Sequence, residues 1–184
     1  SLPNVDLNKS WWCKSLLSSS VLGNKAIFAV GDLTSTLYEY MEVMFVNETL
    51  FKNQHSDDGV DLYQLVEDGD WTWAKYKEFA TAFGTGDGNE GDGKFGALTN
   101  VHAWRAALIG QDITIAQRNT ETGRYETPQV PASKLTDTID DMIRFYNRDN
   151  ILFSRSNGTD AAAQNPIFLG GKCAVLRTDA GRGK

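Results

Sequence analysis

Cysteine and histidine occur only twice each in this chain of 184 residues, and proline only four times. Cys13 and Cys173 lie far apart, which excludes a zinc ribbon and a disulfide-dense scaffold and leaves one bridge or, as the favoured reading, two thiols. His55 and His102 are the only imidazoles, and neither stands near a cysteine in sequence. No Walker, Rossmann or zinc-ligand spacing occurs, so no metal and no cofactor is expected. Apolar runs stay well short of the ~20 residues that a membrane span needs. Basic residues are outnumbered, 18 Lys and Arg against 24 Asp and Glu, for a net charge of −6 and a pI of about 4.9. That balance argues against nucleic acid or an anionic membrane surface as partner, because both require clustered positive charge. Small uncharged ligands remain.

What is present is the composition of an ordinary globular domain, 41% hydrophobic and 23% charged. Strand signals fall at Lys25 to Val30, closed by Gly31-Asp32, and at Tyr40 to Val46; both read as buried strands. Asn47 is placed to cap a short helix reaching Gln54. The clearest helix begins at Thr72, whose hydroxyl can accept a backbone N–H, with Trp73, Tyr76, Phe79, Ala80 and Phe83 at helical spacing. Trp71, just before that cap, is positioned to pack on Tyr76 as a hydrophobic staple, so Trp71 and Trp73 read as core. Six glycines among the thirteen residues from Gly84 to Gly96 make a loop. Within it, residues 87 to 93 resemble a calcium loop out of register, since Gly91 and Asp92 occupy the wrong positions; a solvated loop is the favoured reading. A helix is expected from Asn100, as cap, to Gly110. Ile113 to Gln117 and Tyr125 to Thr127 suggest a hairpin around Gly123. Leu135, Ile139, Met142, Ile143 and Tyr146 mark an amphipathic helix. A last helix fits Thr159 to Phe168, and a strand covers Lys172 to Leu176. The interleaving predicts one α/β domain over residues 1–184, a mixed sheet flanked by helices.

Several stretches, in order, resemble the family 1 extracellular solute-binding proteins of bacterial carbohydrate ABC importers. They are Asp6-Leu7-Asn8-Lys9-Ser10-Trp11-Trp12, Gly23 to Asp32, Met44-Phe45-Val46-Asn47 with Leu50-Phe51, Asp61-Leu62-Tyr63 through Asp68-Gly69-Asp70-Trp71-Thr72-Trp73, Lys94-Phe95-Gly96, and Phe168-Leu169-Gly170-Gly171-Lys172-Cys173-Ala174-Val175. Where many sugar binders have Tyr-Asn-Lys, this chain has Val46-Asn47-Glu48. The resemblance implies a two-lobed periplasmic-binding-protein-like fold of type II, of which this chain is mainly the second lobe. Residues 1–12 and 177–184 would then be the hinge crossovers, close together at one edge, with a first lobe lying elsewhere in the same parent. It also implies a protein that is not an enzyme. Such a protein captures a sugar or oligosaccharide between its lobes and delivers it to a membrane permease, outside the cell, in the periplasm or tethered to the surface as a lipoprotein. The chain shows neither a signal peptide nor a lipidation motif, and both of its ends read as mid-chain sequence.

Sugars are held by stacking their C–H faces on aromatic rings while carboxylates, amides and guanidinium groups bond the hydroxyls. Asp32 qualifies because it closes a strand at the end where ligands meet open α/β sheets, although an aspartate there also serves merely to turn the chain. The resemblance places Asn100, His102 and Trp104 at the cleft. The bland alternatives are a cap for Asn100 and a core position with Val101 and Leu108 for Trp104, which is the stronger reading of that tryptophan taken alone. Of the adjacent Trp11 and Trp12, one is free for hinge or ligand, with Trp12 expected to pack. Arg177 and Asp179 are expected just past the final strand, at the return crossover, able to reach ligand only in the intact protein and otherwise frayed. Asp32, Asn100 and His102 are expected to face the side where the crossovers meet. Carboxylate pairs such as Asp57-Asp58 and Asp140-Asp141 keep a glycosidase as the alternative, with a stand-alone sugar-binding module as the third reading.

Overall fold

A computed structural model describes residues 3–23, 25–83, 94–100, 102–148, 151–154 and 159–183. The calcium-like loop at 87–93 lies outside the described residues.

Residues 3–23 and 25–40 form an arm. Helix α1 (Lys14–Ser19) is followed by strands β1 (Val21–Leu22) and β2 (Lys25–Ala26), which pair only with each other. The expectation of a buried strand over Lys25 to Val30 is therefore corrected: two residues form a ribbon and Ile27, Phe28 and Ala29 are exposed, Ile27 by 54% and Phe28 by 65%. β-propensity supplied the signal, but no sheet face lies against this run to bury it. The arm folds back where Trp12 bridges Gly31. A side chain at Gly31 would meet the Trp11 carbonyl oxygen at 2.5 Å, so only glycine permits that approach. Helix α2 (Thr36–Glu39) leads into the sheet.

Strand β3 (Glu42–Val46) enters helix α3 (Glu48–Gln54) through Asn47, whose side chain accepts from Leu50 N–H as expected. Helix α4 (Leu62–Glu67) is capped by Asp61, which accepts from Tyr63 and Gln64 N–H. Helix α5 (Trp73–Ala82) starts at Thr72, which accepts from Lys75 N–H as its spacing predicts. Strand β4 (Phe95–Asn100) had no sequence signal: its first five residues are buried, and Gly96 and Ala97 lack the β-branched character that marks strands. Gly96 has a packing reason, because a Cβ there would lie 1.6 Å from the Ala80 carbonyl oxygen. Helix α5 thus rests backbone to backbone on β4.

Helix α6 spans Ala103–Gly110, so Asn100 ends a strand and does not begin the helix. Strands β5 (Gln117–Arg118) and β6 (Tyr125–Glu126) make the expected hairpin, with Gly123 at φ +70°. Helix α7 (Ala132–Tyr146), strand β7 (Ile151–Ser154), helix α8 (Thr159–Leu169) and strand β8 (Cys173–Asp179) complete the order, followed by a 3₁₀ turn at Ala180–Gly183.

The four main strands run β3-β8-β4-β7. β8 is parallel to β4 and antiparallel to β3, and β4 is parallel to β7, which makes the expected mixed sheet. Adjacent residues of the central strands serve opposite faces. Ala97 and Val175 join Phe51, Tyr76, Phe79 and Phe145 beneath α3, α5 and α7, while Leu98 and Leu176 join Cys173 and Phe95 with Ile167 and Phe168 of α8. Both cysteines are free thiols.

Candidate functional site

Because β4, β7 and β8 are parallel, their carboxyl ends share one edge of the sheet, where open α/β folds place ligands. β3 is antiparallel, so its amino end lies there too, Glu42 opposite Asp179. The arm arrives at this edge and the chain departs from it: Ala180 N–H donates to Met41 C=O at 2.8 Å, and the 3₁₀ turn packs on α2. Entry, exit and the end of β4 therefore meet along one line.

At the β4–α6 corner, Asn100 Oδ1 accepts from His102 N–H at 2.9 Å. That bond tightens the turn into α6, whose first residues carry no side-chain cap of their own. His102 Nδ1 lies 2.6 Å from Arg105 Nη2. A guanidinium only donates, so Nδ1 is the acceptor and the imidazole proton sits on Nε2, free to donate to a ligand. Trp104 is 40% exposed, while Ala103, Ala107 and Leu108 on the same helix are buried. The core alternative for Trp104 is thereby corrected: Ala103, Ala107 and Leu108 make the buried face of α6, and Trp104, one turn before Leu108, lies at its open margin. Arg105, which sequence reasoning passed over, follows His102 by three residues, the spacing that joins helical side chains.

Arg177 requires a correction as well. It lies inside β8, 6% exposed, and is not a frayed residue past the last strand. Its Nη1 donates to Ala103 C=O at 3.2 Å and its Nη2 to Glu42 Oε2 at 3.2 Å. The same guanidinium therefore anchors the start of α6 to the sheet and ties β3 to β8.

Asp32 and Trp11 form a separate pair on the arm. Asp32 N–H donates to Trp11 C=O at 3.0 Å, both side chains are exposed, and no hydrogen bond among the described residues joins Asp32 to Asn100 or His102. Trp12 is half-buried and donates from Nε1 to Asp6 C=O at 3.0 Å, the packed member of its pair as expected.

Beside the corner, a cavity of about 600 Å³ opens between α5 and α6 above β3 and β8, lined by Met44, Trp71, Trp73, Tyr76, Gln111 and Arg177 among others. Trp71 packs edge-on against Phe51 and Phe79, not on Tyr76 as a staple would. Trp73 stacks near Tyr76 and Phe145 and donates from Nε1 to Asp141 Oδ2 at 2.7 Å. Both tryptophans are half-buried, part core and part cavity wall. Burial pushes the Tyr76 phenol far above its ordinary value, with Tyr146 adding to the rise and the Arg177 guanidinium opposing it. Burial likewise pushes Tyr146 up to about 12, again against Arg177. Both phenols stay protonated at any physiological pH.

Two of the carboxylates in the pairs Asp57-Asp58 and Asp140-Asp141 have partners of their own. Asp141 is held by Trp73 and Lys77, and Asp58 by His55 Nδ1 at 2.8 Å. Compared with protein-family models, curated proteins and solved structures, the chain matches none.

Proposed function

We propose that this chain is a non-catalytic sugar-binding lobe, the second lobe of the solute-binding component of a carbohydrate ABC importer. The observation that carries the reading is the corner itself. A half-open indole, Trp104, shares the first turn of α6 with an imidazole and a guanidinium that bond each other, at the edge of the sheet where the arm enters and β8 leaves. A sugar ring stacks on Trp104 while His102 and Arg105 bond its hydroxyls.

The arm supports the second half of the proposal. Trp11, Leu22, Phe28, Leu33, Tyr40 and Met41 are all substantially exposed, Leu33 at 95%. Apolar area of that kind meets a companion surface, here a first lobe of the same parent, which closes on the ligand about the two crossovers. The closed form then docks on the membrane permease outside the cell. A ligand desolvated by one wall is held weakly, so this lobe alone binds sugar in the millimolar range.

The test is a panel of mono- and oligosaccharides titrated into the chain and followed by NMR. Shifts are expected at the Trp104 indole and at the amides of His102 and Arg105. Trp104→Ala should weaken binding by about tenfold, the loss of a stacking platform, with an unchanged melting temperature. The reading fails if no sugar perturbs the corner, or if any sugar is cleaved.

A further inference from the structure

The β4–α6 corner offers hydrogen atoms and little that accepts them. His102 Nδ1 takes one N–H of Arg105 at 2.6 Å, which leaves the imidazole Nε2–H and the rest of the guanidinium, a group with five N–H donors and no acceptor. Arg105 is exposed, and none of the ion pairs among the described residues gives it a carboxylate. Arg177, anchored to the same turn, differs in that Glu42 already balances it. Helix α6 adds to the excess of donors. It begins with no side-chain cap and no acidic residue in its first turn, and no hydrogen bond among the described residues takes the N–H of Ala103 or Trp104. A carboxylate or hydroxyl commonly stands at such a start to meet the positive end of the helix dipole. Asn100 Oδ1, the acceptor nearest in sequence, is occupied by His102 N–H.

Side chains on a helix lean toward its N-terminus. Trp104 and Arg105 therefore reach back over the opening turn, as the bond from Arg105 to His102 shows for the guanidinium. Trp104 sets an indole, 40% exposed, on that turn. The hydroxyls of a neutral sugar both donate and accept, so a site built for them alone supplies acceptors as well as donors. This corner supplies donors, one of which carries a full positive charge. The polar group that fits it only accepts, and is best an anion.

Resting on the sugar reading of this corner, we propose that the saccharide it selects is acidic, with a carboxylate on its ring as in a uronic acid. The carboxylate lies against the remaining N–H groups of Arg105 and the Nε2–H of His102, at the open start of α6, and a pyranose face lies on Trp104. Charge-assisted hydrogen bonds then separate the acid from neutral sugars of the same shape.

The experiment titrates trigalacturonate, its fully methyl-esterified form and acetate separately into the chain, with the Trp104 indole and the amides of His102 and Arg105 followed by NMR. The ester keeps the rings and loses the charge, while acetate keeps the carboxylate without the rings. Trigalacturonate should bind at least about tenfold more tightly than either, and its affinity should fall severalfold as salt rises from about 0.05 to about 0.5 M, with the ester unaffected. Arg105→Gln, at an exposed position, should leave the melting temperature unchanged and bring the acid down to the affinity of the ester. Trp104→Ala should weaken acid and ester alike. Equal affinity for acid and ester would overturn this proposal and leave the sugar reading standing, and so would a preference for the acid that survives Arg105→Gln. Acetate bound as tightly as trigalacturonate would reduce the corner to a bare anion site and overturn the proposal as well. Failure of every saccharide, charged or neutral, to move the corner would overturn both.

Discussion

Arg177 and Glu42 form an ion pair across neighbouring strands, Nη2 to Oε2 at 3.2 Å, with the Arg177 side chain 7% exposed and that of Glu42 25% exposed. The pair is diagonal in the ladder, since Glu42 stands opposite Asp179 and Arg177 opposite Met44. Removing one member strands a charge where little water reaches it. Glu42→Ala should therefore cost about 3 kcal/mol, the low end for a broken buried pair. The double variant Glu42→Ala with Arg177→Met should recover part of that loss. Urea denaturation of the two single variants and the double variant measures it, and strictly additive costs would show that the two groups do not interact.

Gly96→Ala should be among the most damaging small substitutions in the chain. The added methyl meets the Ala80 carbonyl oxygen, which belongs to the backbone of α5 and cannot rotate aside. The cost should reach about 3 kcal/mol or more, beyond ordinary overpacking. Ala97→Gly, one residue further along the same buried strand, gives the comparison. A Gly96→Ala variant with wild-type denaturant midpoint would refute the close approach of α5 to β4.

Acid should loosen the contact between α5 and α7 through Asp141. Burial raises the Asp141 pKa, but hydrogen bonds from Lys77 and Trp73 outweigh it, and the net shift is downward. A carboxyl whose folded pKa is depressed contributes stability that is present above its unfolded value, near 3.9, and is lost as pH falls through the lower folded value. The melting temperature should therefore fall between about pH 5 and pH 2, accompanied by a change in Trp73 fluorescence. In Asp141→Asn that slope should flatten. An identical acid limb in both proteins would exclude Asp141 as its source.

The two thiols should react at very different rates. Cys13 is partly exposed, and its pKa is lowered chiefly by a hydrogen bond with Ser15. Cys173 is buried in β8, and burial pushes its thiol up to about 12. At pH 8 a disulfide reagent should titrate one thiol per folded chain and two in denaturant. Two fast thiols in the folded state would place Cys173 outside the core.

Features governed by local chemistry were legible in the sequence. Asn47 and Thr72 announced their helices because a cap needs only one side chain and the next turn of backbone. The apolar spacing of α7 and the glycine of the β5–β6 hairpin are equally local. Strand β4 was hidden because a strand covered on both faces has no alternation, and its glycine and alanine serve the close approach of α5. Lys25 to Val30 misled for the opposite reason, being apolar and β-prone with no sheet beside it. At the candidate site, Asn100, His102 and Trp104 share the β4–α6 corner because they adjoin in sequence. Arg177 was misplaced because its role depends on Glu42 and Ala103, which only the sheet brings near. The cavity was invisible because Trp73 and Tyr76 carry the same helical periodicity whether they face a filled core or an open one.

Strand β8 joins β3 to β4, and this order has a consequence for synthesis. β3 is complete at Val46 and β4 at Asn100, but the strand that lies between them begins only at Cys173. A growing chain on the ribosome thus carries two strands that cannot pair through their intended neighbour until Asp179 has emerged. Folding must wait for that late insertion, which closes long loops at once and is slow for that reason. Exposed strand edges in the meantime invite pairing with other chains. Cells making this protein would then have reason to keep a chaperone on it until the last strand slots in.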